Sequence, residues 1–172
     1  MTAVAGQLVG TIPHQPIGTK VAYRVRLAKM DRQLTLPAKD AVVLQFRGDV
    51  PAWALMPHVF VMLIAIFLST LAGLEVLLPQ PRLGVLVART IAALVVGILL
   101  GCLTAWYAYG SLWSGFPVGD DVTANKTLLA LVVWLAAAVA LKVGRNPKPY
   151  VVIASVLTLA VYLIPHGAAI RK

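Results

Sequence analysis

The chain has 172 residues, of which 60% are hydrophobic and only 12% are charged, and its mean hydropathy is +0.86. These values exclude an ordinary soluble domain, because apolar runs recur through residues 53–165 and leave no polar face for water. The formal net charge of +9 indicates anionic lipid headgroups rather than nucleic acid as the partner, since the basic residues lie mostly outside those runs.

Residues 1–52 predict a β-rich extramembrane segment of two or three strands. Apolar and basic side chains alternate in VAYRVRL, and AVVLQFR alternates in a similar way. The stretches KMDRQ and LPAKD supply turns between them. Because so few strands make a marginal sheet, we expect support from helix ends, a partner chain or further strands. No cleavable signal peptide is expected, since the first 15 residues lack a basic and an apolar region.

Four apolar segments follow, and each predicts a transmembrane helix within a domain covering residues 53–172. The segments are about 53–78, 83–109, 126–143 and 150–164. The last is short for a membrane span, but Pro149 suits its first turn and Pro165 ends it. The predicted fold is an integral membrane, mainly α-helical protein with four transmembrane helices in two hairpins.

Small side chains predict close helix packing. Gly97 and Gly101 have GxxxG spacing, which permits tight contact within the bundle or with another subunit. A stripe on the first helix consists of His58, Met62, Ala65, Ser69, Ala72 and Gly73. This packing needs no ligand.

Glu75 and Arg89 lie at similar depth on either side of the turn PQPRLG. They predict an intramembrane ion pair, because an unpaired charge within the bilayer would cost about 2.5–3.5 kcal/mol. A small transporter that uses this pair is the weakest functional alternative.

The connection WYAYGSLWSGFPVGDDVTANKT, residues 106–127, concentrates turn-forming, acidic and aromatic residues. Its glycines and proline predict a tight path, and Asp121 or Thr123 is placed to cap the third helix. Its Trp and Tyr side chains suit headgroup depth. The functional alternative is a polar surface that docks a partner or binds a cation. Its residues would be Trp113, Asp120, Asp121 and Lys126.

His58 and His166 form the one histidine pair that two helical hairpins would bring to the same membrane face. They could ligate a haem iron, or bind copper or zinc with Met62 one turn below His58. Pro57 and Pro165 precede them and suggest helix ends, where histidines would bond to loop backbone instead. We expect no cofactor, with haem ligation or pigment contact as the other outcomes.

The stretches IPHQPIGTKVAYRVRL, VVLQFRGDVP, HVFVMLIAIFLSTLAGLE and WSGFPVGDDVTANKT together cover much of the chain. They resemble a group of bacterial membrane proteins in which the last strands of an immunoglobulin- or fibronectin-like domain run into four helices. The most specific piece is the W-x-G-x-P-x-G-x-D-x-T-x-N-K-T spacing. It is matched by Trp113, Gly115, Pro117, Gly119, Asp121, Thr123, Asn125, Lys126 and Thr127. The resemblance implies an architecture and no activity.

The strong catalytic signatures HExxH, P-loop, GxSxG and CxxC are absent from the sequence. The leading hypothesis is therefore a non-catalytic accessory or scaffold subunit of a larger membrane complex, for example a respiratory or photosynthetic one. The rival hypothesis is a haem- or metal-binding redox protein. The basic connections around Arg82 and Arg145 predict a cytoplasmic side, which leaves both termini outside the inner membrane of a bacterium.

Overall fold

The structure is a computed structural model that describes residues 2–4, 7–29, 32–119 and 121–164. It confirms a mainly helical chain with four helices after a short N-terminal strand region. The strands are β1 (Thr2–Val4), β2 (Gln7–Val9), β3 (Lys20–Tyr23), β4 (Val25–Lys29), β5 (Arg32–Leu36) and β6 (Val42–Gln45). The helices are α1 (Ala52–Glu75), α2 (Leu83–Tyr109), α3 (Val122–Lys142) and α4 (Lys148–Leu163).

The chain divides into two compact units. The first combines Met1–Asp49 with Ala108–Gly110, and the second combines Val50–Tyr107 with Ser111–Lys172. The last two residues of α2 therefore belong to the same unit as the strands. There the amide of Gly48 donates to the carbonyl of Ala108 over 3.0 Å, and the guanidinium of Arg47 lies 5.2 Å from the ring centre of Tyr109.

The strands of the first unit form three antiparallel pairs, β1 with β2, β3 with β6, and β4 with β5. Residues directly opposite each other in such a ladder lie on the same face. Eight apolar side chains are paired in this way, so they share the apolar faces of the two longer ladders. The pairs are Val21 with Leu44, Tyr23 with Val42, Val25 with Leu36, and Leu27 with Leu34.

The strand count exceeds the predicted two or three. The pairs confirm the alternation in VAYRVRL and AVVLQFR, but VAYRVRL, which predicts one strand, is divided at Arg24 between β3 and β4. β5 is not predicted by the sequence pattern, because Arg32 and Gln33 fall in KMDRQ and Leu36 in LPAKD, the two stretches interpreted as turns. β1 and β2 were missed because each has only three residues, too few for a periodic pattern.

In the second unit, α4 lies in close contact with both α1 and α3. Small side chains permit this approach, and the buried core combines alanines with a few large residues around the indole of Trp134. The predicted α1 stripe faces inward, because Met62, Ala65, Ser69 and Ala72 are buried. Outward positions are apolar as well, including Phe60, Phe67 and Leu99. A helix that is apolar all round is typical of a membrane span.

Three helices, α1, α2 and α3, are long and apolar enough to cross a membrane, whereas α4 is a shorter apolar helix of 16 residues. Two boundaries differ from the predicted ones by three or more residues. α1 ends at Glu75 rather than near residue 78, because the amides of Leu77 and Leu78 bond three residues back and tighten the chain. α3 begins at Val122 rather than near residue 126, because its cap lies at Asp121.

Candidate functional site

The loop between α2 and α3 is built around the side chain of Asp121. One carboxylate oxygen accepts hydrogen bonds from the amides of Thr123, at 2.7 Å, and Ala124, at 3.4 Å. The other oxygen accepts from the hydroxyl of Ser114 at 2.8 Å. Asp121 is therefore the N-cap of α3, which confirms one of the two predicted capping residues.

Asn125, in the first turn of α3, holds the middle of the loop. Its side-chain oxygen accepts a hydrogen bond of 2.6 Å from the amide of Phe116, and the indole of Trp113 donates to the carbonyl of Phe116 over 3.1 Å. A Cβ added to Gly115 would lie within 3 Å of side-chain atoms of Trp113, Ala124 and Asn125. Several residues of the W-x-G…N-K-T spacing thus serve the loop's own geometry.

Lys126 connects α3 to the far end of α4. Its side chain is only 5% exposed, and its ammonium donates a 2.6 Å hydrogen bond to the carbonyl of Ile164, which follows the last residue of α4. A cation is favourable at a helix C-terminus because the terminal carbonyls carry partial negative charge. Lys126 therefore satisfies a backbone group that the ending helix leaves without an internal partner.

The predicted docking residues that the structure describes form hydrogen bonds within the protein instead of an exposed polar surface. Asp121, Lys126 and the indole N–H of Trp113 make hydrogen bonds inside the second unit, and Asp120 lies outside the described residues. The outward side chains of this loop are instead apolar, with Phe116 70% and Val118 76% exposed. Docking through the predicted polar set stays a prediction.

His58 lies against α2, where the glycines predicted to permit close contact make room for α1. With Nδ1 protonated, its ring donates to the carbonyl of Gly97 over 3.0 Å. An added Cβ at Gly97 would collide with the sulfur of Met62, and one at Gly101 would lie 3.1 Å from the His58 ring. The partner of His58 is thus a helix carbonyl and not a loop carbonyl. The two glycines of the GxxxG spacing accommodate the side chains of Met62 and His58 from α1.

Of the two histidines in the predicted metal or haem site, the structure describes only His58. His166 lies outside the described residues, so the pairing of His58 with His166 stays a prediction. Across the described part of the chain, no group of three or more His, Cys, Asp or Glu side chains is placed to hold a metal ion. Met62, the further predicted ligand, has its sulfur 3.8 Å from the hydroxyl of Tyr162.

The carboxylate of Glu75 receives a different partner from the one expected. It accepts a 3.0 Å hydrogen bond from the backbone amide of Arg82, because the turn between α1 and α2 folds that amide towards the end of α1. Arg89 lies on an exposed face of α2. Among the described side chains, no ion pair joins Glu75 to Arg89. The backbone contact replaces the predicted pair in this structure.

Two polar contacts in the bundle interior were not predicted. The indole of Trp134 on α3 donates to the hydroxyl of Thr158 on α4 over 3.0 Å, and that hydroxyl donates to the carbonyl of Ala154 over 2.7 Å. The hydroxyl of Ser155 donates to the carbonyl of Ser69 on α1 over 2.9 Å. Ser and Thr within the apolar run of residues 150–164 were the available signal.

The sequence matches no protein-family model, no curated protein and no solved structure. The function is therefore inferred from the geometry alone.

Proposed function

We propose that this chain is a non-catalytic accessory or scaffold subunit of a larger membrane complex. Three helices have the length and composition of membrane spans. We propose that α4 crosses as well, although its 16 residues extend only about 24 Å against a hydrocarbon core of about 30 Å. Local thinning of the bilayer accommodates such a short helix at modest cost.

The observation that carries this proposal is the partly exposed apolar face of the strand region. We use "apolar face" for the eight paired side chains Val21, Tyr23, Val25, Leu27, Leu34, Leu36, Val42 and Leu44. None of the side chains described between Leu8 and Asp49 is buried, and Leu34 is 54% exposed. The strand region thus has apolar faces without a buried core among its described residues.

A β-sheet normally buries its apolar face against a second layer. Burying a fully exposed large apolar side chain contributes about 1.5–3 kcal/mol. The four exposed members, Leu34, Leu36, Val42 and Leu44, retain part of that driving force, whereas the other four are already half-buried. The ladders have only two strands each, and such ladders are marginal in water. A partner's sheet or helix packed on the apolar face would supply the missing layer.

The chemistry of the second unit agrees with a structural role. Its distinctive polar side chains, Asp121, Asn125 and Lys126, cap helices or brace the loop. Two polar side chains of the bundle interior, Trp134 and Ser155, bond to neighbouring helices. These contacts explain the presence of these polar side chains, and no bound substrate is needed to explain them.

The test is purification in a mild detergent, with light scattering and mass spectrometry on the same chromatographic peak. We expect the wild-type protein to elute with stoichiometric partner subunits. Leu34→Lys, which places a charge on the apolar face, should release them. Gln33→Lys is the matched control, because Gln33 is an exposed neighbour on the opposite face of β5.

A monodisperse monomer without partners would contradict the proposal, and so would Leu34→Lys that retains its partners as the wild type does. An absorption spectrum of the same peak tests the rival redox function. A Soret band that disappears in His58→Ala would favour haem ligation over the accessory role.

We further propose the inner membrane of a bacterium as the location, with a respiratory or photosynthetic assembly as the type of host. The support is the charge of the connections. Arg82 and Arg145 lie in the two turns that share one side of a four-helix topology. The loop on the opposite side carries Asp120 and Asp121. Short basic loops favour the cytoplasmic side.

A further inference from the structure

A groove lies between the C-terminal half of α3 and the beginning of α4. Its volume is about 590 Å³, which falls within the range of small-ligand sites. The lining consists of Ala136, Val139, Ala140, Val143, Arg145 and Tyr150. Most of these side chains are small or aliphatic, so the interior of the groove is apolar. The two alanines leave the space that larger side chains would fill.

The mouth of the groove is cationic. Of the three basic residues at the turn between the helices, Lys142, Arg145 and Lys148, only Arg145 lines the groove, and the sequence has no acidic residue from Val122 to Ile164. Arg145 lines the groove and its side chain is exposed. The positive charge is therefore not balanced by a carboxylate on α3 or α4.

The beginning of α4 adds to this potential. Pro147 occupies the N-cap position, the side-chain oxygen of Asn146 accepts a 3.2 Å hydrogen bond from the amide of Lys148, and the first turn holds no acidic residue. The N-terminus of a helix carries partial positive charge and favours anions. Tyr150 lies in the same first turn and lines the groove. A phenol of this kind suits the boundary between acyl chains and headgroups.

We propose that this groove binds one phospholipid with an anionic headgroup, which packs an acyl chain along Ala136, Val139 and Ala140 and places its phosphate beside Arg145. An apolar interior with a cationic mouth requires both parts of the ligand. A free phosphate would leave the apolar surface uncovered. A zwitterionic lipid such as phosphatidylcholine would bring a choline cation that opposes the charge of Arg145, whereas a lipid with a net negative headgroup would not. This inference rests on the placement of the helices in a bilayer that is proposed above.

The test compares phosphatidylglycerol with phosphatidylcholine of identical acyl chains, added to the purified complex in detergent. Native mass spectrometry counts bound lipids, and thermal unfolding measures stabilisation. We expect each protein to retain one phosphatidylglycerol and to prefer it over phosphatidylcholine by about fivefold. This is the factor expected from the attraction between one basic side chain and an anionic headgroup at a membrane surface. Glycerol 3-phosphate, which lacks acyl chains, should neither bind nor stabilise.

Two variants separate the headgroup from the acyl chain. Arg145→Gln should abolish the preference while phosphatidylcholine binding remains. Ala136→Leu adds volume at an exposed position on the groove and should reduce retention of both lipids. Arg82→Gln is the control, because it removes the same charge from the other basic turn and should preserve the preference.

Equal binding of the two lipids by the wild type would overturn the inference. An equal loss of preference in Arg82→Gln and Arg145→Gln would also overturn it, because the effect would then reflect overall charge. Release of the protein from membranes by alkaline carbonate would instead contradict the bilayer placement, so the two failures are distinguishable.

Discussion

Asp121 is the side chain on which both the loop and the start of α3 depend. It accepts two amide hydrogen bonds at the helix N-terminus and one from Ser114. The negative charge of the carboxylate also interacts favourably with the partial positive charge at the N-terminus of the helix. Its role is thus local and structural, and it accounts for one of the six acidic residues of the chain.

We predict that Asp121→Ala lowers the free energy of unfolding by about 1–2 kcal/mol, because the substitution removes an N-cap and leaves the Ser114 hydroxyl without its acceptor. Asp121→Asn should cost much less, since its amide oxygen still accepts from the backbone. Thermal and denaturant unfolding in detergent measures the difference. A loss in Asp121→Asn as large as in Asp121→Ala would show that charge and not capping dominates.

Sequence spacing predicts hydrogen bonds between neighbouring residues but not between residues that are distant along the chain. Local spacing narrows the cap to Asp121 or Thr123, and the structure decides for Asp121. The partner of Lys126 was not predictable, because the Ile164 carbonyl is 38 residues away along the chain. The docking alternative places Lys126 at an open surface, and the packing of α3 against α4 buries it instead.

At the scale of elements, α3 and α4 are joined by the hydrogen bond from Trp134 to Thr158. Both side chains are fully buried, and Thr158 uses its hydroxyl twice, as acceptor from the indole and as donor to Ala154. Interhelical hydrogen bonds in membrane proteins contribute about 0.6 kcal/mol on average and up to about 1.7 kcal/mol. Full burial places this contact towards the upper part of that range.

We predict that Thr158→Val destabilises the bundle by about 1 kcal/mol, because the indole N–H loses its acceptor. Thr90→Val is the matched control, since Thr90 is equally buried but bonds only to Leu86 of its own helix. A double-mutant cycle with Trp134→Phe should give a coupling energy of similar size. Equal effects of Thr158→Val and Thr90→Val would contradict the proposed importance of the contact.

At the scale of the whole molecule, the topology proposed above has four crossings, with the strand region and the α2–α3 loop on one side of the membrane and the two basic turns on the other. With Cys102 replaced by alanine, single cysteines can report this topology. We predict that Lys39→Cys and Ser111→Cys react with a membrane-impermeant maleimide in intact cells. Arg82→Cys and Arg145→Cys should react only after permeabilisation.

The same experiment decides whether α4 crosses the bilayer. A tag placed after Lys172 should be accessible from the side of Ser111 if the helix spans. Accessibility from the side of Arg145 would instead mean that α4 stays on the cytoplasmic side and that only three helices span.

The sequence by itself determined the number and type of the helices, the alternation of the main strands and the capping of α3. Hydropathy, period and cap spacing are local properties, which a linear sequence displays directly. Only the tertiary structure decided which side chains meet, because such contacts depend on how helices pack. His58 bonds to Gly97 and Trp134 to Thr158 across helix interfaces, and the Arg82 amide reaches Glu75 through the fold of a turn.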